Sequence, residues 1–267
     1  MIPIQRLGLP DAVTARMTVL TGRIGLREVA SGARKKYADS LWKDEDEVRQ
    51  GLRTVLLKMA PGVLGCCMYC GGFTATDIEH FEPREHDALK TFFWPNHLLV
   101  CGPCNSTYKR DWWECDEETG EPLLIDPTRD DPFDHLLLNI REGKYRGETD
   151  KGRTTVKVLG LNLPERRLVA GRKVARLNIR TVLRDWGRAR RQGDAEAERD
   201  ALEVLKGQPF ADVWQAMLRQ AVLPGAALVM SDEPPEILDL LKDEELRAAT
   251  LIEFPLRSAP AEGNCCF

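Results

Sequence analysis

No stretch of this 267-residue chain is apolar for long enough to cross a bilayer, and nothing in it reads as a secretory leader. The expected location is the cytoplasm. The chain also lacks a Gly-rich phosphate loop, an ATPase motif and an internal repeat. Any ATP-dependent step therefore belongs to another chain. A basic excess is missing too: 38 Lys and Arg stand against 42 Asp and Glu, a net charge of −4. That excludes a globally basic nucleic-acid binder. A chain of this balance that handles nucleic acid must concentrate positive charge locally or borrow it from a partner. Histidine is scarce, four in all, at positions 80, 86, 97 and 135.

Cysteine is not scarce. Of the eight, four form two pairs, Cys67/Cys70 and Cys101/Cys104, each with two residues between. That spacing lets both thiolates of a pair reach one ion from a tight turn. Two pairs supply four sulfurs, a closed tetrahedral shell that suits structural zinc. The other four have no disulfide framework spacing, which fits a reducing compartment. Cys66 would break the two-residue spacing and reads as a packed or exposed thiol.

The thirty residues between the pairs (71–100) must form an element of their own. Thr74 to Phe81 is rich in β-formers and predicts a strand that Pro83 ends. Leu98 to Val100 predicts a second strand, and a helix can start at Asn105 or Ser106. On that helix Asn105 and Lys109 share a face. The order is strand, long loop, strand, helix. Within it lie Glu79-His80-Phe81, Trp94-Pro95-Asn96-His97-Leu98 and Cys104-Asn105 followed by Lys109.

In this order, these motifs resemble the HNH nuclease family, in its cysteine-containing form with a ββα-metal core. The chain departs from the usual pattern in placing His97 before Leu98 and in having Glu79 where many members have Asp. Neither departure removes a ligand type. The resemblance implies that His80 is the general base. An imidazole with a pKa near ~6.5 has a neutral fraction able to take a proton from water. It further implies that Glu79 and Asn105 hold one Mg²⁺ or Mn²⁺ through oxygen, that Asn96 braces the loop carrying the base, and that Lys109 contacts phosphate. Oxygen ligands suit Mg²⁺ or Mn²⁺ and thiolates suit zinc, so the two sites can sort their metals. Lys109 reads equally well as a solvated helix residue. Asp77 reads first as a strand-edge solvated acid, with a supporting group behind the ligands or an alternative ligand as the other readings. His86 sits among charged loop residues and His97 follows the bracing Asn96, direct participation being the lesser reading of each. His135 reads as a structural hydrogen bonder.

Outside this core the sequence predicts an α+β chain in five parts. Residues 1–60 are an irregular Pro-containing segment, then a helix over 44–59 with Val48, Leu52, Val55, Leu56 and Met59 as its apolar stripe. Residues 61–115 are the zinc-knuckle core. Residues 116–160 are loop and short strand, including a strand over 154–159. Residues 161–256 are helical, with helices over 164–192, 194–205, 210–222 and 235–253. Residues 257–267 read as a disordered tail. On the 164–192 helix Arg172, Arg176, Arg180, Arg184 and Arg188 recur every four residues, which turns a helix about 40° beyond a full circle. They form a slowly winding ridge, and local acids are only Glu165 and Asp185. Arg176 and Arg180 are therefore candidates for binding a DNA backbone.

The run Leu159-Gly-Leu161-Asn162-Leu163 before this basic helix is similar to that of HNH proteins of Septu- and retron-associated anti-phage systems. The resemblance implies a DNA-cleaving effector gated by a separate ATPase partner. Two other readings stay open: a non-catalytic, zinc-stabilised module that binds nucleic acid or protein, and a DNA-binding component that works through the arginine ridge.

Overall fold

The computed structural model describes residues 1–27, 32–72 and 74–253. The fold is α+β, mostly helical, with two small antiparallel sheets among the described residues. The expected tail (257–267) lies outside them.

The N-terminal part is more ordered than its sequence suggests. Two helices, α1 (Asp11–Gly25) and α2 (Ala33–Asp44), precede α3 (Asp46–Met59). α1 buries Met17, Leu20 and Ile24, at helical spacing but only three in number, so the pattern is easily passed over. α2 buries even less, Ala38 and Leu41. α3 buries the expected five, Val48, Leu52, Val55, Leu56 and Met59. Each such side chain contributes about 1.5–3 kcal/mol when fully removed from water. Ala60 then turns extended ahead of Pro61.

β1 (Asp77–His80) and β2 (His97–Val100) pair antiparallel, with Glu79 opposite Leu98 and His80 opposite His97. The loop between them contains two 3₁₀ turns, Ala88–Phe92 and Trp94–Asn96. After β2 the chain does not form the expected α-helix. Pro103–Lys109 is a π-helical turn, closed by Arg110 N–H on the Asn105 carbonyl, an i→i+5 bond of 2.8 Å.

A short α4 (Pro132–His135) leads into the hairpin of β3 (Leu136–Asn139) and β4 (Lys144–Gly147). The strand expected over 154–159 is instead helix α5 (Asp150–Val158). Thr149 caps it by accepting a bond from Gly152 N–H at 3.1 Å. Capping and packing override the β-branched residues Thr154, Thr155, Val156 and Val158. Gly152 is required there, because a Cβ would lie 2.0 Å from the His135 carbonyl.

The 164–192 helix is interrupted at Arg167, whose φ is 56°. The long helix α6 runs Leu168–Gln192 and ends on Gly193 at φ 71°. α7 (Ala195–Gly207) and α8 (Ala211–Gln220) follow, then a short α9 (Ala226–Val229). The helix expected over 235–253 is two, α10 (Pro235–Leu241) and α11 (Glu244–Thr250), because Asp243 starts a new cap on Leu246 N–H. One apolar core runs through all these segments, from Leu20 and Leu52 through Leu98 to Ile179, Leu183 and Trp214. The helical C-terminal part sits directly on the first cysteine knuckle. Phe210 N–H donates to the Gly71 carbonyl at 2.7 Å, and Asp212 lies beside Gly71.

Candidate functional site

The two cysteine pairs meet. The Sγ atoms of Cys67, Cys70, Cys101 and Cys104 all lie within 4.8 Å of one another, all four residues are buried, and all are free thiols. Cys70 and Cys101 are 3.8 Å apart. A tetrahedral zinc with Zn–S of about 2.3 Å has sulfur–sulfur edges of about 3.8 Å, so the cage fits such an ion. Each knuckle is a turn: Gly71 N–H returns to the Cys67 carbonyl and Asn105 N–H to the Cys101 carbonyl. Arg166 reaches in from beyond the core, donating to Cys104 Sγ at 3.1 Å while stacked 4.4 Å over Tyr108. That cation would offset the charge of a metal-bound Cys104 thiolate, and no spacing rule points to it. Cys66 stays out of the cage. It forms a β-bridge with Thr74, and burial, then the charges of Cys70 and Asp212, push its thiol up to about 11.

Asp77 and Glu79 alternate onto the face of β1 that meets the π-helical turn. They form two rungs. Asn105 Nδ2 donates to Asp77 Oδ2 at 3.0 Å. Lys109 Nζ sits 2.5 Å from Glu79 Oε1 and donates to the His80 carbonyl at 3.1 Å. The sequence paired Asn105 with Glu79; in the structure Asn105 meets Asp77. Glu79 is only 2 % exposed. Burial raises its carboxyl to about 7 against the opposing pull of Lys109, with Asp111 and Asp77 adding to the rise. Lys109 is itself fully buried.

His80 packs on the opposite side. Trp42 of α2 meets its ring edge-on at 4.5 Å and stacks on His97. His80 Nε2 lies 3.1 Å from the Thr91 carbonyl, and His97 Nε2 lies 3.0 Å from the same oxygen. A carbonyl only accepts, so both Nε2 atoms carry protons, and each lone pair is on Nδ1. Burial, then His97 and Arg84, hold the His80 imidazole well below its ordinary value. Burial lowers His97 to about 4. Both are neutral at pH 7. Asn96 ties the loop together: its Oδ1 accepts Glu82 N–H at 2.7 Å, and its Nδ2 donates to the carbonyls of Glu82 and Lys90. The Glu82 carboxylate is shared by His86 Nδ1, at 2.6 Å, and Lys90.

Comparison with known proteins adds one resemblance. The chain is similar to Septu proteins PtuB. One, from Bacillus mycoides (strain KBAB4), is 25% identical over 180 residues, 55% of this chain and 60% of that protein. Another, from Bacillus thuringiensis, is 31% identical over 107 residues, 40% of this chain and 38% of that protein. The chain thus spans less than two thirds of the length of these curated relatives. No family model matches the chain, and no solved structure matches it.

The arginine ridge is not a free face. Arg172 is buried, 3.5 Å from Asp212 of α8, and donates to the carbonyls of Gly143 and Leu161. Arg176 and Arg180 both pair with the buried Glu233, Arg184 approaches Glu236, and Arg188 meets Asp185. Apart from Asp185, the acids that meet these arginines arrive from other elements. His135 makes a structural hydrogen bond to Thr149 Oγ1 at 2.8 Å.

One backbone position near the site is strained. Arg110 has φ 50° and ψ −129°, and Trp112 N–H closes back on the Lys109 carbonyl at 2.9 Å. These are the first-position dihedrals of a type II′ turn, where glycine is the ordinary occupant. A non-glycine residue held there costs about 1–3 kcal/mol.

Proposed function

We propose that this chain is a metal-dependent HNH endonuclease that hydrolyses DNA phosphodiester bonds, the effector of an anti-phage system gated by a separate ATPase chain. The likeness to Septu proteins supports the defence context. The observation that carries the chemistry is the fixed tautomer of His80. Its Nε2 proton is committed to the Thr91 carbonyl, so Nδ1 is an unprotonated acceptor at neutral pH. His80 takes the proton of the attacking water there. Thr91 and Trp42 hold the ring, and Asn96 holds the loop that presents Thr91.

The oxygens of Asp77, Glu79 and Asn105 are hard donors on one side of β1, and the Lys109 ammonium already supplies Glu79 with a cation. These are the residues that would hold a divalent ion such as Mg²⁺ or Mn²⁺, which when bound would neutralise charge on the phosphate and the leaving oxygen. The thiolate cage is structural and keeps no open position. The ATPase partner docks on the C-terminal helices, where Leu228 is 82 % exposed beside Val229 and Leu223.

Nicking of supercoiled plasmid by the purified chain tests this reading. The expected result is cutting with Mg²⁺ or Mn²⁺ and none with Asn105→Ala, at unchanged zinc content. Equal cutting by Asn105→Ala would remove Asn105 from the site.

A second reading rests on one observation: Glu79 is closed off by Lys109. On that reading the chain is a zinc-stabilised binding module without cleavage. Mn²⁺ titration separates the two, because a module without the second site takes up only the thiolate-bound ion.

A further inference from the structure

The net charge is −4, and Arg172, Arg176 and Arg180 of α6 are held by Asp212 and the buried Glu233, while Arg184 and Arg188 pair at the surface with Glu236 and Asp185. Lys109, the cation that the resemblance assigns to phosphate, is buried on Glu79 and the His80 carbonyl. A phosphodiester substrate at this site needs positive charge beside β1, and two arginines flank that strand.

Arg110 directly follows Lys109. Its side chain is exposed and has no ion pair among the described residues. The turn that carries it is held beside β1: Lys109 touches the His80 carbonyl, and Trp113 packs edge-on against Phe81 at 5.5 Å. Asp111, its neighbour, is also exposed and does not pair with it. An arginine occupies a position whose backbone favours glycine, so the fold gains nothing locally from the side chain. Such strain is kept where a side chain has a task. At the other end of β1, Arg53 of α3 donates to the Thr76 carbonyl at 2.5 Å, and Thr76 Oγ1 in turn donates to Asp77 at 2.8 Å. Arg53 too is exposed and has no ion pair among the described residues.

We infer that Arg110 and Arg53 are the residues that hold the phosphate backbone of a nucleic-acid strand across β1. They flank β1 at its two ends and place positive charge beside Asp77, the carboxylate of the strand that Lys109 does not neutralise. Guanidinium suits this task, because its planar fork binds phosphate oxygens in pairs. The inference deepens the nuclease reading and rests on it for the substrate class.

The test is binding of a labelled DNA duplex without divalent ions, read as affinity against salt concentration, so cleavage plays no part. Arg110→Gly is the informative variant, since it suits the type II′ turn and removes only the side chain. The expected result is a melting midpoint equal to or above wild type, weaker binding, and a log–log salt slope shallower by about 0.9, the value of one phosphate contact. Arg53→Ala should lower the slope by a similar step, and Arg110→Lys should restore most of the affinity. Wild-type affinity and slope in Arg110→Gly would overturn the inference, as would no duplex binding by the wild type at low salt. Loss of binding in the variants of a chain that never nicks plasmid would keep the phosphate contacts and sink only the nuclease reading.

Discussion

His97 shows what a buried imidazole does to acid stability. Its folded-state value, about 4, is below the ordinary ~6.5 because burial penalises the charged form. The unfolded chain therefore takes up this proton first as pH falls. The stabilisation is complete above pH ~6.5 and is lost progressively down to about pH 4. A shift of this size corresponds to about 3 kcal/mol. His80, also lowered, acts in the same direction. Urea denaturation across this range should show wild type losing stability faster than His97→Gln; parallel curves would mean that His97 titrates normally. Single residues were legible where chemistry fixes their spacing, as for the four cysteines. The sequence missed partners that only folding brings together. Trp42 comes from a helix read as irregular chain, Arg166 lies 62 residues from the thiol it meets, and the Asn105 amide chose Asp77 over Glu79.

Elements with a clear residue pattern or fixed punctuation were legible: α3 by its stripe, β1 by its β-formers, β2 by its short apolar run, and the end of α6 by Gly193. α5 was not, because β-branched content argued for a strand while one threonine cap and a glycine contact decided for a helix. The π-helical turn was not legible either, since nothing in Pro103–Lys109 distinguishes it from an α-helical start. The thiolate cage ties β1, β2 and this turn together. Metal analysis should find one zinc per chain. Cys104→Ser should lose it and lower the melting midpoint, whereas Cys66→Ser should keep it. Arg166→Ala should weaken zinc retention against a chelator by about 10–100-fold, the usual effect of removing an outer-shell partner. Unchanged retention would show that Arg166 only packs on Tyr108.

Across the whole molecule, counting acids near the arginines in sequence misjudged their charge. Glu233 lies 57 residues from Arg176 and clamps it and Arg180 to the chain that follows α9. Because both arginines are largely covered, breaking the clamp leaves their donors unpaired and should cost about 1–3 kcal/mol. Glu233→Ala should therefore lower the melting midpoint, and Arg176→Ala with Arg180→Ala should do the same while leaving the salt slope of duplex binding unchanged. A selective loss of binding in that double variant would restore the ridge as a DNA surface. The continuous core also means that removing α7 to α11 exposes the first cysteine knuckle, so a partner surface there is better tested by Leu228→Asp than by deletion. The central claim is that His80 is a base for phosphodiester cleavage. The most direct measurement compares supercoiled-plasmid nicking by the wild type and by His80→Ala in Mg²⁺ or Mn²⁺, with zinc content measured on both. The account predicts cutting by the wild type, none by the variant, and equal zinc. Equal cutting by the two proteins would contradict it.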